Sequence, residues 1–496
     1  MEDKGKKQVY MYEKADYRLM KQRLTMDWIQ YLSLEPDIEM TASKKFQVQQ
    51  HLKTSKHIRL EAVKSNSAQK EQQILLECSS KSGPDRSQFN ADLCKAFVSA
   101  DIPLHKLNNK CLKSFLEQYA GKKVPDESTL RKNYVSQLFK DTMEIIRRKA
   151  CGKKIWVSLD ETTDVEQRCI VNLIFGVLGD ETERGKYYLV NVGVLSKVNH
   201  STVAGFFNDS LQLLWPTKLE YENVLLVCTD AAPYMCKAMN GLQVLYPKMI
   251  HVTCVAHGLH RVAELVRSKY PDVNQLIANV KKIFLKAPSR TARFSEIAPS
   301  TPLPPSPVMT RWGSWIDAAT YYGKNFNVIE AVIATFDPEE AQSIQESKIL
   351  LETEGIKESL LFIATNFACI SSTITRLEER GLLLSSAISL VNGVLDELKS
   401  LQSDAYYGKL SNVLYKNKGF EKLKKVSQIM SGDAIIDETV QPLTMSDLLC
   451  MKHAPIVSCD VERVFSEYKA MLTDNRRGFN FENLRHHVII KCNHNL

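Results

Sequence analysis

The sequence predicts an α/β fold: a mixed β-sheet with crossover helices, a helical module before it and a helical insertion within it. Three observations predict it. The runs KKIWVSLDET, CIVNLIFGVLG and KYYLVNVGVLSK are β-rich and separated by short polar turns, the pattern of consecutive antiparallel strands. NVLLVCTD and MIHVTCVAH are apolar runs that each pass into a helical pattern, as strands joined by crossovers do. Long stretches on either side keep a helical spacing of apolar residues.

Taken in order, residues 1–80 are polar and helical in pattern, expected to be partly disordered, and end in the linker-like CSSKSGPDRS. Residues 88–150 hold three amphipathic helices, in FNADLCKAFVSADIPL, CLKSFLEQYA and STLRKNYVSQLFKDTMEIIRRKA, the last opening on a Ser or Thr cap. Residues 151–312 form the sheet region: three strands, the helix VAGFFNDSLQLLW, the strand NVLLVCTD, a helical stretch around Lys237 to Leu245, and MIHVTCVAH as a strand running into the helix LHRVAELVRSK. That βββαβαβα order is the RNase H-like order. The proline cluster PSTPLPPSP leads to a helical insertion over 313–445, and residues 446–496 supply a last helix, from about Asp460 to Ala470, and a basic tail.

The chain has 496 residues, 44% hydrophobic and 25% charged, the composition of an ordinary globular protein with room for several domains. It has no signal-peptide pattern and no run of about 18 uninterrupted apolar residues, so an intracellular protein without a membrane span is expected. The twelve cysteines form no CxxC pair and are expected to be reduced thiols. The net charge of +8 is uneven: residues 1–150 carry 28 Lys and Arg against 19 Asp and Glu, the remainder 37 against 38. A basic first third on a near-neutral body suits a protein that neutralises phosphates with one end, although a solvated lysine-rich surface gives the same count.

Asp160 sits at the end of the first expected strand and Asp230 at the end of the fourth. If those strands are neighbours, the two carboxylates converge and suit Mg²⁺ or Mn²⁺, hard cations that take oxygen ligands and serve phosphoryl transfer in pairs. A third acidic ligand is needed, and Glu462 supplies it if the last helix packs beside the sheet through Val461, Val464 and Phe465. Each Asp alone could equally be a turn or helix cap. Asp164 is a rival ligand whose simplest role is a turn.

DETTD, TDAAPYM, CVAH followed by LH, the TRW triplet and SCDVERVFS occur in this order. Together they resemble the hAT superfamily of DDE transposases over residues 88–496. The resemblance implies that Asp160, Asp230 and Glu462 are the metal-binding catalytic triad, that Cys254 and His257 are a CxxH motif touching DNA beside it, and that Trp312, next to Arg311, stacks on a flipped base. Trp315 is expected in the core. TDAAPYM departs from the family's TDNAxNM form, and only 150 residues separate Trp312 from Glu462, fewer than in active members.

VQQHLKTSKHIR resembles the histidine half of a BED-type or C2H2-like finger, with His51 and His57. No cysteine precedes Cys78, so zinc is not expected. Lys44, Lys45, Lys53, Lys56 and Arg59 could still lie on phosphates. This stretch and the helices after it also resemble the CGG triplet-repeat-binding protein family. The expectation is a nuclear double-stranded-DNA-binding protein of transposase descent, acting on transcription by RNA polymerase II and forming a homodimer. An active transposase using Mg²⁺ or Mn²⁺ and a catalytically dead dimeric scaffold are the alternatives.

Overall fold

The computed structural model describes residues 84–307, 313–401, 403–472 and 479–494. Chain contacts separate Met1–Gln88 from Phe89–Leu496, and the fold below is that of the second unit.

Five strands form one sheet: β1 (Ile155–Thr163), β2 (Cys169–Val177), β3 (Tyr188–Leu195), β4 (Val224–Thr229) and β5 (Ile250–Thr253). Their order across the sheet is β3-β2-β1-β4-β5. β1, β2 and β3 are antiparallel neighbours, whereas β4 and β5 run parallel to β1. Helix α4 (His200–Leu214) connects β3 to β4, and α5 (Pro233–Leu242) connects β4 to β5. The α/β class and strand-helix order expected from periodicity are those of the structure.

β4 is buried throughout and β1 over its first six residues, Ile155–Asp160, because these are the central strands, covered on both faces. β1 also continues three residues past Asp160 to pair Thr163 with Cys169, so Asp160 lies within a strand rather than at its end. The crossover helix after β4 starts at Pro233, earlier than the stretch Lys237–Leu245 implied, because proline is preorganised for a first helical position.

Before the sheet, α1 (Pro84–Ser99), α2 (Lys110–Ala120) and α3 (Ser136–Ala150) surround a small core of Leu93, Phe97, Leu107, Val124, Leu130 and neighbours. The turn into the third helix sits at Asp126, so Ser128 and Thr129 lie inside the helical run and do not cap it. After the sheet come α6 (Val255–Lys269), α7 (Pro271–Phe284) and α8 (Pro288–Ile297). The chain is then helical through α9 (Ser314–Lys324), α10 (Phe326–Ala334), α11 (Gln342–Glu352), α12 (Ile356–Asn366), α13 (Ala368–Leu377), α14 (Leu384–Lys399), α15 (Asp404–Lys416), α16 (Lys418–Ser431) and α17 (Met445–Cys450). Two last helices, α18 (Cys459–Met471) and α19 (Phe481–Cys492), return to the sheet. Trp315 is buried in the core.

One described stretch, Ile356–Leu377, has the length and mean hydropathy, 1.4, of a membrane span. It is two helices meeting at Phe367, whose buried side chains Leu360, Ile363, Phe367 and Ile370 belong to the protein core.

Both outer strands end on an asparagine. On β5, the Thr253 N–H donates to Asn417 Oδ1 at 3.1 Å and Asn417 Nδ2 donates to the Thr253 carbonyl at 2.6 Å. On β3, the Leu189 N–H donates to Asn493 Oδ1 at 3.1 Å and Asn493 Nδ2 donates to the Leu189 carbonyl at 3.0 Å. Each side-chain amide thus takes the place that a neighbouring strand's peptide would occupy. Asn417 also receives the Phe420 N–H at 3.2 Å and so caps α16. Gly419 makes the approach possible, since a Cβ there would stand 1.9 Å from the His251 carbonyl oxygen.

Candidate functional site

The last pair of the β1–β4 ladder is Ser158 with Cys228, and Ser158 Oγ also donates to the Cys228 carbonyl at 2.9 Å. Asp160 and Asp230 each follow that pair by two residues. In a parallel ladder this equal offset puts both on the same side of the sheet. β1 is also where the strand order turns back, with β2 on one side and β4 on the other, the place where α/β sheets form ligand crevices.

Asp160 is 6% exposed. Its Oδ1 accepts the Glu161 N–H at 2.8 Å, while Oδ2 is buried without a hydrogen-bond partner. Burial, then the neighbouring carboxylates Glu462, Asp230 and Glu161, push its carboxyl well above the usual range. Asp230 is held by a turn of its own making: its Oδ1 accepts the Ala232 N–H at 3.1 Å, just before Pro233 starts α5. Burial raises Asp230 as well, opposed by that N–H and by the positive charges of His257 and Arg261.

Glu462 lies in the first turn of α18, which packs on β1 and β2. The buried stripe Val461, Val464, Phe465 and Tyr468 seats this helix. Its cap residue Ser458 makes no side-chain cap bond, and the Ser458 hydroxyl is buried without a partner. The turn is anchored from outside instead. The Ser458 N–H donates to Cys254 Sγ at 3.3 Å, the Val255 N–H to the Ile456 carbonyl at 3.0 Å, and the Cys254 N–H to the Thr229 carbonyl at 2.8 Å. Cys254 therefore ties the chain before Glu462 to the end of β4 before Asp230.

Cys254 caps α6 and His257 is in its first turn. The expected strand through Cys254 ends at Thr253, because the backbone turns at Cys254 to start the helix. Burial would raise the Cys254 thiol, but the Cys228 thiol and the His257 ring bring it well below the ordinary value. Burial would likewise lower His257, but Cys254, Asp230 and Glu462 hold it above its ordinary value.

Asp164 is not a spare ligand. Its Oδ1 accepts the N–H groups of Glu166 and Arg168, both at 2.9 Å, and its Oδ2 accepts Arg168 Nε at 2.8 Å and the Tyr468 hydroxyl at 2.9 Å. It builds the β1–β2 turn and pins α18 to it.

Two members of the cluster, Tyr234 and Asn172, are missed by sequence reasoning. The Tyr234 hydroxyl, from the first turn of α5, donates to Glu161 Oε1, whereas Glu161 Oε2 is buried without a partner. Burial raises the Glu161 carboxyl, against the Tyr234 bond. Asn172 on β2 is directly opposite Asp160, fully buried, with neither amide atom hydrogen-bonded. A polar residue within the apolar run CIVNLIFGV was the only available hint.

Among the described residues, no three His, Cys, Asp or Glu side chains stand close enough to hold a metal ion as they are. The donor chemistry nevertheless fits a hard divalent cation: carboxylate oxygens, with those of Asp160 and Glu161 raised first by burial and then by neighbouring carboxylates, and unpartnered buried oxygens on the same two residues. A cavity of about 130 Å³ lies elsewhere, lined by Trp156, Arg380, His453 and Asp460 among others, and by none of the three carboxylates. Arg311, Trp312, Lys53, Lys56 and Arg59, with His51, His57, Lys44 and Lys45, lie outside the described residues.

Residues 125–283 match a family model described as a domain of unknown function, DUF659, and residues 80–137 match the CGGBP1 helical domain. The first match spans Asp160, Asn172, Asp230, Cys254 and His257, and the second covers the helices before the sheet. No curated protein matches the chain.

Proposed function

We propose that this chain is a nuclear double-stranded-DNA-binding protein of transposase descent that regulates transcription, built on an RNase H-like core with a carboxylate centre for Mg²⁺ or Mn²⁺. The observation that carries this reading is the placement of Asp160 on β1, of Asp230 directly after β4, the neighbour of β1, and of Glu462 in the first turn of α18, which packs on β1 and β2. The family matches support it, DUF659 being associated with transposases. The basic first third supports phosphate binding by that end, with Lys53, Lys56 and Arg59 as its contacts.

Asp160, Asp230 and Glu462 would hold the cation, which when bound activates a water or 3′ hydroxyl and stabilises the leaving oxygen of phosphoryl transfer. The protein's own part is to keep these groups in register. Ser158 and Cys228 fix β1 against β4, Cys254 fixes α18 to the end of β4, and Asp164 fixes α18 to the β1–β2 turn. His257 and exposed Arg261 bring positive charge to Asp230, where a phosphate would approach. Arg311 and Trp312 complete the DNA contacts in this reading.

Binding of the full chain to random and CG-rich duplexes across a salt series tests the proposal. Micromolar or tighter binding that weakens steeply with salt supports it. No binding at low salt overturns it and favours a dimeric scaffold, measured as a dimer by light scattering. The convergent carboxylates favour a second reading, an active transposase. Cleavage of supercoiled plasmid with Mn²⁺, lost in Asp160→Asn, would support that reading, and no cleavage of any end sequence would remove it.

A further inference from the structure

Asn172 is the fully buried polar side chain nearest in the sheet register to Asp160. The two are direct partners across the antiparallel β1–β2 ladder. Direct partners point to the same face, with Cβ atoms roughly 4.5 to 5.5 Å apart. The same ladder gives an internal check four pairs along: Trp156 is opposite Gly176, and a Cβ built on Gly176 would stand 2.3 Å from the Trp156 ring. The face of β1 that bears Trp156, Ser158 and Asp160 is therefore the face of β2 that bears Gly176, Ile174 and Asn172.

Asn172 is 0% exposed, and neither its Oδ1 nor its Nδ2 has a hydrogen-bond partner. Burying an amide with its donor and its acceptor unsatisfied destabilises the folded chain, because each group gives up its bonds to water and gains none. A strand this apolar, with Ile170, Val171, Leu173, Ile174 and Phe175 all at 0%, would be more stable with a hydrocarbon there. Asp160 Oδ2, across the ladder, is also buried and unpartnered. Two orphaned polar groups side by side beneath the helix that carries Glu462 form a matched donor and acceptor.

We propose that Asn172 is the positioning residue of Asp160: its amide fixes Oδ2 in the cation-bound state, directly or through one water of the hydrated cation. This rests on the carboxylate centre proposed above. Asn172 costs stability in the cation-free protein and contributes to the site once the carboxylates are drawn together. Groups that orient a first ligand in this manner typically change metal affinity 10- to 100-fold when removed.

Full-length Asn172→Leu, which keeps the branching and removes both polar atoms, and Asn172→Ala, which cannot overpack, are compared with wild type. Mn²⁺ affinity is measured by the electron paramagnetic resonance signal of the free ion, and stability in chelator by urea denaturation. At least 10-fold weaker Mn²⁺ binding in both variants is expected, with Asn172→Leu as stable as wild type or more so. A merely structural amide would give the opposite pair of results, lower stability and affinity within twofold, and that pattern overturns the proposal. If Asn172→Leu does not fold, affinity within twofold in Asn172→Ala overturns it by itself. A wild-type protein that binds no Mn²⁺ removes the carboxylate centre and this role together, whereas wild-type binding that both variants retain removes only the role of Asn172.

Discussion

Replacing Asp160 with asparagine is expected to make the cation-free protein more stable. The substitution keeps the one hydrogen bond this carboxylate makes, since an amide oxygen can accept the Glu161 N–H as Oδ1 does. It replaces a buried carboxyl, whose ionisation is opposed first by burial and then by Glu462, Asp230 and Glu161, with a neutral amide. Relieving an uncompensated buried group of this kind is worth about 1 to 3 kcal/mol. The gain should appear in urea denaturation at pH 7 with chelator present. Adding Mn²⁺ at a hundred times its dissociation constant should then stabilise wild type by about 2.7 kcal/mol and Asp160→Asn by little. A variant less stable than wild type in chelator, or an equal Mn²⁺ increment in both proteins, would refute the reasoning.

Other outcomes follow from the same contacts. Gly419→Ala forces a methyl against the His251 carbonyl and should cost about 1 to 3 kcal/mol or more; unchanged urea denaturation would show that α16 can move off β5. Cys254→Ala leaves the buried Ser458 N–H without its acceptor and should cost about 1 to 3 kcal/mol, with Cys254→Ser losing less; equal losses would mean that the sulfur's volume matters and its acceptor role does not. Asp447 is 2% exposed, and despite burial its bonds from Thr444 and its ion pairs with Lys248 at 3.0 Å and Lys154 at 3.4 Å hold it down to about 2. An unfolded Asp titrates near about 3.9, so this group's stabilisation is full above that value and fades as pH falls toward about 2. Acid denaturation of Asp447→Asn should accordingly converge with wild type in that window, and parallel curves throughout would contradict the assignment.

Much of this fold is legible because it depends on local pattern. Period-two and continuous apolar runs mark β1 to β5, and the apolar stripe of SCDVERVFSEYKAML marks α18. Asp160, Asp230 and Glu462 can be named from sequence because each sits at a fixed offset from such an element. What the pattern does not carry is pairing between distant segments. Nothing near Tyr234 announces that its hydroxyl meets Glu161, and Asp164 looks as available as Asp160 until Arg168 and Tyr468 are seen to occupy it. Asn172 opposes Asp160 only once the β1–β2 register is known. Cys254 shows the same limit: the motif places it beside His257, but its hold on Ser458 spans 204 residues.

The two asparagines at the ends of the sheet constrain how copies of this protein can meet. An open strand invites another chain to extend the sheet by main-chain pairing, the route of strand exchange and of fibre growth. Here Asn493 occupies the outward groups of Leu189, and Asn417 those of Thr253. Pairing of another strand at either of these points must first break two hydrogen bonds. Deamidation of Asn493 would turn its donor into a carboxylate facing the Leu189 carbonyl, converting a closed edge into a repelled one. Chemical ageing at that residue would then show as slow self-association well before any loss of the buried core.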